Sequence, residues 1–198
     1  AHSMVFPRFD YSTGDAAGQN MVSRATFIAC DWINEQRPEM LHYMLSGNFD
    51  TEKKTSSVNL LKTRGKRVTA EITVPREILM EHLRVAPEQI AYGQQISTLS
   101  AILTNSSNNA NHPANALAAL YLATGQDVAN IGESNQCTTY QRATSKGDFY
   151  FSITLPAVIM ATYGGGTALP TQRECLRMLG CEGKGKALAA AQGKNKGE

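Results

Sequence analysis

The chain has 198 residues, 42% hydrophobic, 18% charged and 7% aromatic, with a formal net charge of +2. That composition excludes a disordered or fibrous protein, and so small a charge gives no ground for nucleic acid or a membrane surface as partner. No apolar run approaches the ~20 residues that span a bilayer, so a soluble, cytoplasmic chain of one domain or a little more is expected, with a real core.

The opening "AHSM" lacks the apolar core of a signal peptide and looks like a cloning remnant before Met4. Next, "VFPRFDYS" has the aromatic and β-branched content of a short strand. A glycine loop, "TGDAAGQNM", then leads into a helix on which Met21, Ala25, Ile28, Ala29 and Trp32 form an apolar stripe. Strand, glycine loop and helix start leave backbone N–H groups free, which suits an anion; the same order also occurs in connections that bind nothing.

A second short strand is expected at "MLHYML", followed by the polar loop from Asp50 to Ser57. "KRVTAEITVP" alternates Val68, Ala70, Ile72 and Val74 inward and so reads as a strand with one wet face. Pro75 stands where a helix begins, with Ile78, Leu79 and Leu83 on one side. After a mixed stretch and the polar run "TNSSNNANHPAN", an alanine-rich helix is expected over "ANALAALYLATGQDVANI". "DFYFSITLPAVIMATYGGGT" reads as two strands divided by Pro156 and closed by Gly164, Gly165 and Gly166. "TQRECLRMLG" is a short helix ending at Gly180, and "KGKALAAAQGKNKGE" reads as a frayed, low-complexity tail. The four cysteines, Cys30, Cys137, Cys175 and Cys181, have no metal-ligand spacing and read as buried, reduced thiols.

Three groups of residues stand above this background. "EKK", Glu52 to Lys54, reads either as a solvated loop or as a pocket that places one ammonium against an oxyanion. Asp127 in "ATGQDVAN" reads as a helix-end cap, or as the partner that would tune a nearby lysine. "TYGGGT" is a tight turn or a surface that only backbone can offer to a ligand.

In their order along the chain, "GDAAGQNM", "SGNFDTEKKTSSVN", "RGKRVTAEITVP", "HPAN", "ATGQDVAN" and "YGGGT" resemble the catalytic part of the 3-hydroxy-3-methylglutaryl-coenzyme A reductase family, over about Phe9 to Gly180. The resemblance implies an α+β fold with a truncated cofactor lobe over residues 1–45 and a substrate lobe over 46–198. It implies NADPH against Asp15, Ala17, Gly18, Gln19, Asn20 and Met21 and against Gly164, Gly165 and Gly166. The family's catalytic lysine falls on Lys53 and the aspartate paired with it on Asp127. Ser46, Asn48, Glu52, Lys54, His112 and Asn115 fall on positions that line the substrate or support that lysine. An acyl-coenzyme A substrate and a homodimer or larger oligomer, with the site at a subunit interface, are implied as partners. There is no G-x-G-x-x-G inside a βαβ unit, so no Rossmann site is expected. Gly18 is expected to be glycine because a Cβ would stand between the helix and the cofactor.

The departures from the family are specific. It also uses a glutamate from an earlier segment and a histidine near its C-terminus, and neither has a counterpart among these residues; the histidines are His2, His42, His82 and His112. Where the family has a lysine for the substrate carboxylate, this chain has Gln95, and there is no lysine between Lys66 and Lys146. The expected activity is therefore reduction of a coenzyme A thioester by NADPH. The alternatives are a repurposed protein that handles another acyl group without NADPH, or half of a split enzyme.

Overall fold

The computed structural model of the protein describes residues 4–40, 42–109 and 112–192, so residues 1–3 and the end of the chain beyond 192 lie outside the described residues. Helices surround one antiparallel sheet of order β1-β3-β2, built from β1 (Lys66–Val74), β2 (Thr138–Ala143) and β3 (Phe149–Val158). The fold is α+β, as expected.

Around the sheet lie α1 (Gln19–Gln36), α2 (Ser57–Leu61), α3 (Arg76–Leu83), α4 (Pro87–Thr104) and α5 (Ala114–Thr124). α6 (Ile131–Ser134), α7 (Pro170–Met178) and α8 (Ala187–Gln192) complete it. Pro75 opens α3, and Pro87 begins α4 because the first helical N–H is unpaired in any case. Gly180, in left-handed conformation, closes α7: its N–H bonds the Arg177 carbonyl and that of Cys181 bonds Leu176. The core gathers Val68, Leu155, Val158 and Met160 from the sheet and its end, Leu117 and Tyr121 from α5, Leu176 from α7 and Ala190 from α8.

Several expectations fail for clear reasons. β3 runs through Pro156 as one strand, and the ladder with β1 shifts register between Lys66 and Val68, so the missing N–H sits at the irregularity. β2 escapes the sequence pattern because its buried face is polar: Thr139 and Gln141 point inward and Tyr140 outward. The amides of Asn109 and Gln94 satisfy that face, Asn109 taking both the N–H and the carbonyl of Thr139 at 2.7 Å. On β1 only Val68 is deeply covered, and Ile72 stands 56% exposed.

The expected strands at "VFPRFDYS" and "MLHYML" have no ladder among the described residues. Those stretches are tied by side chains instead, with Phe6 against Phe49 and Tyr43 against Phe27. The apolar stripe of α1 is largely uncovered; Cys30 is the residue of that helix that is buried. On α3, Leu79 is buried whereas Ile78 and Leu83 are exposed. The expected frayed tail contains α8, whose Ala187 and Ala190 are buried. Cys30, Cys137 and Cys181 are buried and Cys175 half-buried. Among the described residues no helix is long and apolar enough to cross a membrane.

Candidate active site

The loop that carries "EKK" is held in an unusual shape. Asn48, Thr51 and Lys53 all have left-handed backbones, with φ of 66°, 57° and 59°, a conformation that side chains disfavour and that tertiary contacts must maintain. Asn59, buried in α2, does much of this. Its Oδ1 accepts from Thr51 Oγ1 at 2.7 Å, and its Nδ2 donates to the carbonyls of Thr51 and Lys54 at 3.3 and 3.0 Å. Ser56 caps α2 by accepting from the Asn59 N–H.

Out of this loop Lys53 reaches Asp127, Nζ to Oδ2 at 2.8 Å. Asp127 is held in turn because it caps the 3-10 turn Val128–Asn130, accepting from the Ala129 N–H. Hydrogen bonding to Asp127 raises the Lys53 ammonium above the ordinary lysine range, and the same bond holds the Asp127 carboxyl below its own. The two side chains are 40% and 35% exposed, so the pair contributes little to stability and stays within reach of a ligand.

Beside the pair lies an ionic cluster built on one buried carboxylate, with no local signature in the sequence. Glu133 of α6 is fully buried; its Oε1 accepts from the Lys53 N–H at 3.2 Å and pairs with the Arg64 guanidinium. Burial pushes the Glu133 carboxyl up and Arg64 opposes the shift. Arg64 also lies 3.7 Å from Glu52 Oε1, which accepts from Gln19 at 2.7 Å, and Gln19 further bonds Asn130. The glycine-loop helix is thus wired to the "EKK" loop through Gln19.

The glycine motifs meet the same region by backbone. The N–H of Thr162 donates to the Asp15 carbonyl, and Gln126 grips both the N–H and the carbonyl of Ala161 at 2.7 and 2.8 Å. Gly125 and Gly166 lie so close that a Cβ on either would meet the other's carbonyl oxygen at 2.3–2.4 Å. Gly164 and Gly165 differ: both are left-handed, and a Cβ there would meet nothing within 4 Å.

Other expected residues are placed as follows. The Asp15 carboxylate accepts from the Gly185 N–H at 2.7 Å and the Ala187 N–H at 3.4 Å, and the Gly185 bond above all lowers its pKa. Asn20 and Met21 are exposed on the first turn of α1, and Ala17 is half-buried. Ser46 donates to Asp50, and Lys54 Nζ to the Glu52 carbonyl. His112 and Asn115 are exposed before and at the start of α5.

Gly18 is left-handed at φ 73°, but its Cβ would strike Thr13 Cγ2 at 2.3 Å rather than open space. Gly18→Ala is therefore expected to lower stability by about 1–2 kcal/mol from the left-handed backbone alone. Thr13→Ser, which removes Cγ2, should recover part of any further loss. Thermal unfolding of the two variants and their combination checks this; equal melting of Gly18→Ala and wild type would refute it.

The family model of hydroxymethylglutaryl-coenzyme A reductase matches residues 1–192. The chain is 43% identical over 194 residues to the 3-hydroxy-3-methylglutaryl-coenzyme A reductase of Methanothermobacter thermautotrophicus, covering 97% of this chain and 48% of that protein. With the Pyrococcus abyssi enzyme of the same name it shares 42% over 182 residues, 91% of this chain and 45% of the relative. With 3-hydroxy-3-methylglutaryl-coenzyme A reductase 2 of Dictyostelium discoideum it shares 40% over 186 residues, 92% and 35% respectively. The chain spans about half the length or less of these curated relatives.

Proposed function

The chain belongs to the hydroxymethylglutaryl-coenzyme A reductase family, and on that premise we propose that it takes part in NADPH-dependent reduction of a coenzyme A thioester, of the type that turns 3-hydroxy-3-methylglutaryl-coenzyme A into mevalonate. The observation that carries this reading is the Lys53–Asp127 pair at 2.8 Å. An ammonium held there donates to the thioester carbonyl oxygen and stabilises the negative charge that develops on it. Asp127 further favours the charged form of Lys53 and fixes the direction of its ammonium.

The residues fit a dinucleotide. Gly14, Gly164 and Gly165 are left-handed with open space where a Cβ would stand, so backbone can approach a flat ligand closely. With Asn20 and Met21 exposed beside them, they would hold the cofactor, which supplies the reducing equivalents when bound. Residues 1–45 would serve this cofactor side and residues 46–198 the substrate side, in a homodimer whose site draws on both subunits.

One observation favours a second reading of the acyl group. α4 carries Glu88 as its sole charged residue, so it offers no cation to a substrate carboxylate. The experiment is NADPH oxidation with a panel of acyl-coenzyme A thioesters, alongside calorimetric titration of NADPH and NADH. Oxidation with 3-hydroxy-3-methylglutaryl-coenzyme A is expected. Oxidation with an acyl group lacking the carboxylate would select the second reading, and absence of both turnover and dinucleotide binding would overturn the reductase reading.

A further inference from the structure

Lys53 reaches Asp127 from a left-handed backbone, and beside the brace that Asn59 gives the loop, its own peptide groups meet one short helix. Two features of α6 act on the Lys53 backbone from adjacent positions. The fully buried Glu133 takes the Lys53 N–H on Oε1. At Gly132 the absence of a side chain admits the Lys53 carbonyl: a Cβ there would stand 2.5 Å from that oxygen. Thr55 Oγ1 adds a bond to the Gly132 carbonyl at 2.9 Å, which ties the far side of the loop to the same turn.

We propose that Gly132 and Glu133 are positioning residues, which set the Lys53 backbone and so aim its ammonium at Asp127. Neither touches the amine; both act through the peptide units on either side of the Lys53 Cα. Arg64 has a supporting part, since a buried carboxylate without a cation would be left uncompensated, and Arg64 supplies that cation. One feature agrees with a fixed role: Glu133 Oε2 takes no hydrogen bond among the described residues, so the carboxylate is spent on Lys53 and Arg64 through the other oxygen.

The consequence for catalysis rests on the reductase reading, but the positioning does not, and the test separates them. The charged groups that act on the Lys53 amine are Asp127, Glu52 and Arg64. Of these Asp127 holds it directly, so the amine's titration reports whether the pair is formed. With lysine labelled at the ε-carbon, the Lys53 signal is assigned by its loss in Lys53→Arg and titrated by NMR in each variant. Wild type should titrate above the ordinary lysine value.

Glu133→Ala and Gly132→Ala should both bring Lys53 back to that ordinary value. Glu133→Gln, which keeps an acceptor for the Lys53 N–H, should leave it raised. Gly132→Ala keeps a right-handed helical backbone that alanine favours and forces the shift onto the Lys53 loop, so, with thermal unfolding confirming that it is folded, it decides the matter if Glu133→Ala does not fold. Unchanged titration in Gly132→Ala and Glu133→Ala would overturn the proposal. Glu133→Gln behaving like Glu133→Ala would assign the effect to the Arg64 pair and overturn the role given to the Lys53 N–H. If wild type reduces no thioester yet these titrations come out as expected, the reductase reading fails and the positioning stands.

Discussion

On the proposed reductase reading, Lys53→Ala will slow thioester reduction by about 10²–10³-fold, the loss seen when one oxyanion donor is removed, while the protein stays folded. The fold should tolerate the change because the side chain is 40% exposed and its ion pair is of the kind that contributes little stability. Asp127→Asn should have a comparable effect on rate. It is nearly isosteric and keeps an acceptor for the Ala129 N–H, so it removes the charge without removing the cap. The double variant should lose little beyond the worse single one, because two residues that act as a unit are not additive. Steady-state rates and thermal unfolding, measured together, decide the outcome, and additive losses would show that the two act apart. The pair's small contribution to stability has a defined pH window. Asp127 is depressed, so its share is present above the unfolded carboxylate value and is lost as pH falls through the folded one. Lys53 is raised, so its share is present below the unfolded lysine value and is lost as pH rises through the folded one.

Gly125→Ala will produce the largest loss of stability among these substitutions. The residue ends α5 at φ 71°, and its Cβ would meet the Gly166 carbonyl oxygen and carbon at 2.3 and 2.4 Å and the Thr167 nitrogen at 2.9 Å. These are backbone atoms, with no rotamer to turn away. The left-handed strain, about 1–2 kcal/mol, and overpacking, about 1–3 kcal/mol, together give roughly 2–5 kcal/mol. That is a large part of the ~5–15 kcal/mol by which a domain is stable. Urea unfolding checks it, and on the proposed reading the same variant should also lose dinucleotide binding, as the 3-10 turn at 165–168 is pushed from its place. A variant as stable as wild type would mean that the two backbones can part freely.

The elements that sequence revealed are those with local signals. β1 shows an apolar alternation, α3 has Pro75 at its start, and α7 has Gly180 at its end. The elements it hid depend on distant partners. β2 buries Thr139 and Gln141, a pattern that is sensible only once Asn109 and Gln94 are seen to satisfy it. α8 looks like tail because alanine and glycine give no pattern until Ala187 and Ala190 have a surface to pack on.

The site divides in the same way. From the residues alone "EKK" supports two readings, because the partner of Lys53 lies in another motif and nothing nearby in the chain points to it. The family motifs brought Lys53 and Asp127 together on paper. Glu133 escaped notice because a carboxylate in "IGESN" looks like surface, and the arginine that allows its burial is 69 positions away. Asn59 escaped because a polar residue after "TSSV" gives no hint that it braces two loop carbonyls.

The carboxylate of Asp15, bonded to Gly185 across 170 positions and to Ala187 across 172, links the start of the described chain to its end. Two bonds of such long sequence separation raise the contact order of the chain, and with it the expected folding time. In the native state, when the stretch that leads into α8 lifts away, the turn loses this side-chain brace and keeps only the backbone bond from Thr162 to the Asp15 carbonyl. The amides of Gly185 and Ala187 would then exchange with solvent whenever the Asp15 carboxylate lets them go. Acid would weaken both bonds at once, as the pH falls through the depressed Asp15 value.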